Sequence, residues 1–212
     1  MGGQQLSPSE LDTAITAGHD LAEASKAWKA QYKQTGQAPD GFEGIKPLDP
    51  KTIGTDPDSF QFRPECGPTG VCAGQEIKGP YDYGRAGIAL IFETNEGSRF
   101  IVDGHHRLDY AKKHPEENIT LYSDVLREKE GWSKPMARAI GAMKNLQEGS
   151  TSVQEVAESL GITADALKER WQRNLGEPVP PPKIKAPEKA PEPVPGVTTT
   201  PAQEKPSAFV RV

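Results

Sequence analysis

The spacing of apolar residues changes several times along this chain, and each change predicts an element. Leu11, Ile15, Leu21, Trp28 and Tyr32 recur at helical spacing among alanines, marking one apolar face of a long helix. Ser7-Pro8-Ser9-Glu10 supplies its start as N-cap, first-turn proline and capping box, and Gly36 its stop. The stripe is narrow, so this helix is expected to dock on the rest of the chain rather than pair with a partner helix. Residues 36 to 58 are broken by Pro39, Pro47, Pro50 and Pro57 and predict a loop. Phe60-Gln61-Phe62-Arg63 alternates as a strand does, and the Gly- and Pro-rich residues 64 to 85 predict a long surface loop. AGIALIFE (Ala86 to Glu93) is the strongest strand pattern; Asn95-Glu96-Gly97 offers a hairpin turn, and RFIVD returns antiparallel. A helix over 105–113 follows, then a strand in ITLYSDVL. The helix over 133–147 is capped by Ser133, with Met136, Ala139, Ile140 and Met143 inward. Val153, Val156, Ala157 and Leu160, then Gly161, then Thr163 ahead of Ala166, Leu167 and Trp171 have the form of helix, turn, helix.

Composition changes this picture at the end of the chain. The sequence has 212 residues, 34% of them apolar, and half of its 20 prolines lie from Glu177 onward. Such a tail favours extended polyproline II and builds no core, so 177–212 is expected to be disordered. The remainder divides into an N-terminal helix (1–36), a central domain (48–149) and a helical unit (150–175). The net charge of −5 provides no global basic field for nucleic acid, so DNA binding needs a local patch. No apolar run reaches membrane-spanning length and the start MGGQQLSPSE has no signal-peptide layout, which predicts a cytoplasmic protein that does not enter membranes. Cys66 and Cys72 form no second ligand pair for zinc, and a reducing cytosol opposes a disulfide; both read as incidental.

The densest chemistry lies in FIVDGHHRLDYAKK, Phe100 to Lys113. A short β-branched strand runs into Gly104 and directly into a helix, an arrangement that leaves backbone N–H groups pointing outward for an anion. Arg107 in the first helical turn opposes the helix dipole, a placement that suits a negative ligand. Gly104, His105, His106 and Arg107 are therefore the candidate phosphate cradle. Asp103, His105 and His106 are the candidate catalytic groups, an imidazole being able to carry a proton near neutral pH. The two histidines point roughly 100 degrees apart on a helix and do not chelate one metal together. On the second helix of the C-terminal unit, Lys168, Arg170 and Arg173 are candidate DNA contacts, offset by Asp165 and Glu169. Arg127, Lys129, Lys134 and Arg138 are matched by nearby acids and read as a solvated face.

FQFR, then YGRAGIALIFETNEGSRFIVDGHHRLDYAKK, then ITLYSDVLREKEGWSKPMARAIGAMKNLQEG together resemble the ParB/sulfiredoxin superfamily. More narrowly they resemble the ParB-like domain of the defence-against-restriction type found in phage and mobile-element polyvalent proteins. The resemblance covers about Leu48 to Leu175. It implies an α/β (α+β) fold with a small mixed sheet, and a nucleotide whose phosphates sit at Gly104–Arg107. Gln61, Arg63 and Asn145 are implied as further contacts, CTP or ATP with Mg²⁺ as cofactor, and DNA as partner. It also implies a homodimer, a larger polyvalent protein or a virion complex as the setting, and protection or processing of incoming DNA as the role. A metal-dependent nuclease (Asp103, Asp109, Glu93), a kinase-like phosphotransferase and a non-enzymatic virion scaffold are the alternatives. The chain departs from the pattern where the family's E-N-x-x-R box becomes Lys144-Asn145-Leu146-Gln147-Glu148. A lysine does not ligate magnesium. His105 stands where sulfiredoxins carry their reactive cysteine, which removes that chemistry.

Overall fold

The computed structural model describes residues 6–61 and 66–183. Its elements run α1 (Pro8–Thr35), β1 (Lys46–Leu48), β2 (Ile53–Gly54), α2 (Pro57–Phe60), α3 (Tyr83–Ala86), β3 (Ala89–Glu93), β4 (Arg99–Asp103), α4 (His105–Lys113), β5 (Leu121–Arg127), α5 (Lys134–Gln147), α6 (Val153–Leu160) and α7 (Ala164–Leu175). The fold is mixed α/β, as expected. The sheet order is β1-β5-β3-β4-β2. β3 pairs antiparallel with β4 and parallel with β5, while β1 and β2 close the two edges.

Alternation along the central strands divides the interior. Ile88, Leu90, Phe92, Val102 and Leu126 face α1 and α5, whereas Ala89, Ile91, Ile101 and Val125 face the side that α4 covers with Leu108 and Ala111. Burying each large apolar side chain contributes roughly 1.5–3 kcal/mol. α1 spans about 42 Å at 1.5 Å per residue and lies along α5, burying Leu11, Ile15, Leu21 and Trp28. Its capping box is present, with Ser7 N–H donating to Glu10 at 2.7 Å. A third apolar cluster joins Leu11 and Ile15 of α1 and Met143 and Leu146 of α5 to Val156, Leu167 and Trp171. The helical unit over 150–175 thus shares its core with α1 and α5.

Several sequence expectations need correction. Residues 36–58 contain β1 and β2, short edge strands held by pairing to β5 and β4 rather than by any pattern of their own. The FQFR strand is not formed at its start. Asp56 caps and Pro57 opens a one-turn helix that ends at Phe60, whose ring packs against Phe92 and Phe100; Phe62 and Arg63 lie outside the described residues. β3 begins at Ala89 rather than Ala86, because Asp82 first caps the short α3. Arg127 pairs with Glu93 and Glu130, and Lys134 with Asp56, but Lys134 also lies over the Phe60 and Phe100 rings rather than in open solvent. Residues 177–183 are placed against the body, with Val179 on the third cluster and Lys183 N–H donating to the Gly149 carbonyl at 3.0 Å; the rest of the Pro-rich tail lies outside the described residues. No helix among the described residues is long and apolar enough to cross a membrane.

Candidate functional site

The predicted strand–turn–helix is present, and a register shift aims it. Ile91 pairs with Ile101, but Leu90 pairs with Asp103, so β4 carries one extra residue at Val102. Without the bulge Asp103 would sit opposite Ala89 and face α4; with it, Asp103 shares the face of Leu90 and meets α5. Gly104 follows at φ 110°, reversing the chain into α4 and, as its N-cap residue, supplying no side-chain cap of its own. A Cβ at Gly104 would stand 2.8 Å from the Arg107 guanidinium, so a side chain there would meet both strain and a clash.

Asp103 is the centre of a charge cage. Its Oδ2 accepts from Lys144 Nζ at 2.7 Å and from Arg107 at 2.9 Å, and its Oδ1 from Asn145 at 3.4 Å. Lys144, only 1% exposed, donates onward to Glu148 at 3.1 Å. Arg107 also donates to the Ala86 carbonyl. Burial pushes the Asp103 pKa up, yet Lys144 and Arg107 outweigh it and hold the carboxyl well below the usual range. The expected roles therefore shift. Asp103 is held by two cations rather than standing open as a catalytic group, and Arg107 is braced by the protein rather than extended toward a guest.

His105 is buried beneath the loop that carries the cysteines. A Cβ at Gly70, whose φ is +76°, would stand 2.1 Å from the His105 ring, so only glycine lets the loop lie this close. Gln61 Nε2 donates to the Gly70 carbonyl at 2.8 Å and ties the loop to the end of α2. The same loop corrects the reading of the cysteines as incidental: Cys66 and Cys72 are joined by a disulfide. Gly70 N–H donates to Gly67 and Gly67 N–H to Val71, folding the short segment back so that the two thiols meet.

These parts line one cleft of about 810 Å³. Gln61, Asn145 and the whole turn Asp103–Arg107 reach it, so the structure brings together every described member of the predicted cradle. It adds residues that sequence reasoning missed: Lys26 and Lys29 from α1, Glu148 and Ser150 after α5, and Lys183 from the start of the tail. Their only sequence signal is the i, i+3 spacing of the two α1 lysines on the polar face. Burial lowers the Lys29 pKa; Glu148, 3.8 Å away, works against this, while Lys144, Arg107 and Lys183 lower it further. Among the described lining residues the cations outnumber the carboxylates Glu23, Asp103 and Glu148. An anion at the α4 N-terminus would relieve that excess.

The predicted DNA contacts lie apart from the cleft. Arg170 and Arg173 donate to Asp12 of α1 at 3.0 and 3.2 Å, joined by Asn174 at 2.9 Å, and Lys168 pairs with Asp165. At the far end of α4, His114, Glu116 and Glu117 gather ligand atoms within 4.8 Å, but Glu117 already accepts from the Tyr110 hydroxyl and the Tyr81 amide. No family model, curated protein or solved structure matches the chain.

Proposed function

We propose that this protein binds a phosphate-bearing ligand, with nucleoside triphosphates such as CTP and ATP the first class to test, in the cleft at the α4 N-terminus. The observation that carries this reading is the convergence of unlike anion-binding parts on one cavity. The α4 N-terminus with its braced Arg107, the α1 lysines Lys26 and Lys29, and Lys183 meet there from three separate stretches of chain. The ParB/sulfiredoxin resemblance implies nucleotide phosphates at the same turn and supports this reading. A nuclease or phosphotransferase reading needs a carboxylate available for metal or proton, and Asp103 is engaged by two cations. Binding is therefore favoured over catalysis. DNA association carries over from the resemblance under one condition, release of Arg170 and Arg173 from Asp12.

Calorimetry with CTP, ATP, ADP and inorganic triphosphate tests the proposal. Wild type is expected to bind at least one of them, and the double variant Lys26→Gln, Lys29→Gln to lose tenfold or more, about 1.4 kcal/mol. Absence of binding to the whole panel, or an unchanged affinity in the double variant, would overturn it.

A further inference from the structure

We propose that the cleft takes its anion without a divalent cation, because Lys144 already stands where such a cation would bind. The inference rests on the phosphate reading for its ligand, but its basis is the cage itself. Asp103 at the end of β4 and Glu148 at the end of α5 are carboxylates from different elements that converge on one point, and the Lys144 ammonium fills it at 2.7 and 3.1 Å. Asp103 has no bare oxygen, since Arg107 shares Oδ2 and Asn145 donates to Oδ1. Glu23, the remaining carboxylate among the described lining residues, accepts from Gln147 at 3.2 Å and Lys26 at 3.3 Å. Every acid that lines the cleft among the described residues thus faces an ammonium or a guanidinium. Magnesium needs several oxygen ligands at about 2.0–2.1 Å in near-octahedral array. Providing them here means expelling a lysine that is 1% exposed. The magnesium that the family resemblance implies therefore does not fit these residues. The ligand class that follows is an uncomplexed phosphate ester, bound by amides and fixed cations, with free magnesium competing for its oxygens.

Two measurements on the full chain decide this. In the first, amide resonances of Gly104 to Arg107 are recorded with added Mn²⁺ and no other ligand. Wild type is expected to show no selective broadening there, and Lys144→Met, or Lys144→Gln where the first does not fold, to gain it. In the second, inorganic triphosphate is titrated in EDTA and in excess magnesium, and binding is expected to be several-fold weaker with magnesium. Broadening in wild type, its absence in the folded Lys144 variant, or tighter binding with magnesium would each overturn the proposal. If triphosphate binds in neither buffer, the phosphate reading fails while the Mn²⁺ experiment still decides the metal question.

Discussion

The cleft at α4 and the exposed side of α7 are both supplied with cations, and they use them in opposite ways. On α7 a single carboxylate, Asp12, collects Arg170, Arg173 and Asn174, so the helix is fastened to α1 by the side chains that a DNA-binding helix would present. Burial raises the Asp12 pKa, but Asn174 and Arg170 more than compensate, and the carboxyl stays below its usual range. In the cleft Asp103 and Glu148 converge on the enclosed Lys144, and although Lys29 stands 3.8 Å from Glu148 and Lys26 3.3 Å from Glu23, both lysines and Lys183 line the cavity at the α4 N-terminus. What a basic residue offers a ligand depends on how closely acids from elsewhere in the fold hold it. Asp12 is more than 150 positions from its partners, so local charge counting on α7 misses it.

The comparison breaks most visibly at Asp103. Asp103→Asn leaves Lys144 with Glu148 alone and is expected to cost about 3 kcal/mol, the low end for breaking a buried pair, read as a lowered urea midpoint. The depressed Asp103 pKa fixes the sign of the pH dependence. Its contribution is complete above the unfolded carboxyl value of about 3.9 and fades as pH falls from there toward the folded value. Acid unfolding should therefore be shallower in Asp103→Asn than in wild type. Next in size, Gly70→Val drives a side chain into the His105 ring at a positive φ; about 2 kcal/mol of destabilisation is expected, together with weakened phosphate binding by calorimetry. Asp12→Ala tests the other region. Its partly exposed ion pairs are worth no more than about 1 kcal/mol, but fluorescence anisotropy should detect salt-dependent binding to duplex DNA that wild type does not show. Lys26→Gln is the smallest change: stability should move by less than about 0.5 kcal/mol while affinity for triphosphate falls.

The parts of this structure with strong local periodicity were legible in the sequence. The hairpin of β3 and β4, the glycine turn into α4, the capped α5 and the α6–turn–α7 pair are each specified by near neighbours. β1 and β2 were not, because three- and two-residue edge strands carry too little pattern and exist by pairing with β5 and β4. Phe60 misled because alternation over four residues also fits one helical turn once Asp56 and Pro57 supply a start. The cradle at Gly104–Arg107 was legible, but the state of its side chains was not. The bulge at Val102 that turns Asp103 toward Lys144, the Gly70 contact with His105 and the α1 lysines across the cleft all arise from tertiary placement.

The central claim is that phosphate is held on the α4 amides while α7 stays locked to α1. The most direct test is a titration of isotopically labelled protein with inorganic triphosphate, following backbone amide shifts residue by residue. Saturating changes confined to Gly104, His105, His106 and Arg107, with Lys26 and Lys29 responding and Arg170 and Arg173 still, are predicted. Shifts centred on α7, or none at Gly104 to Arg107, would contradict it.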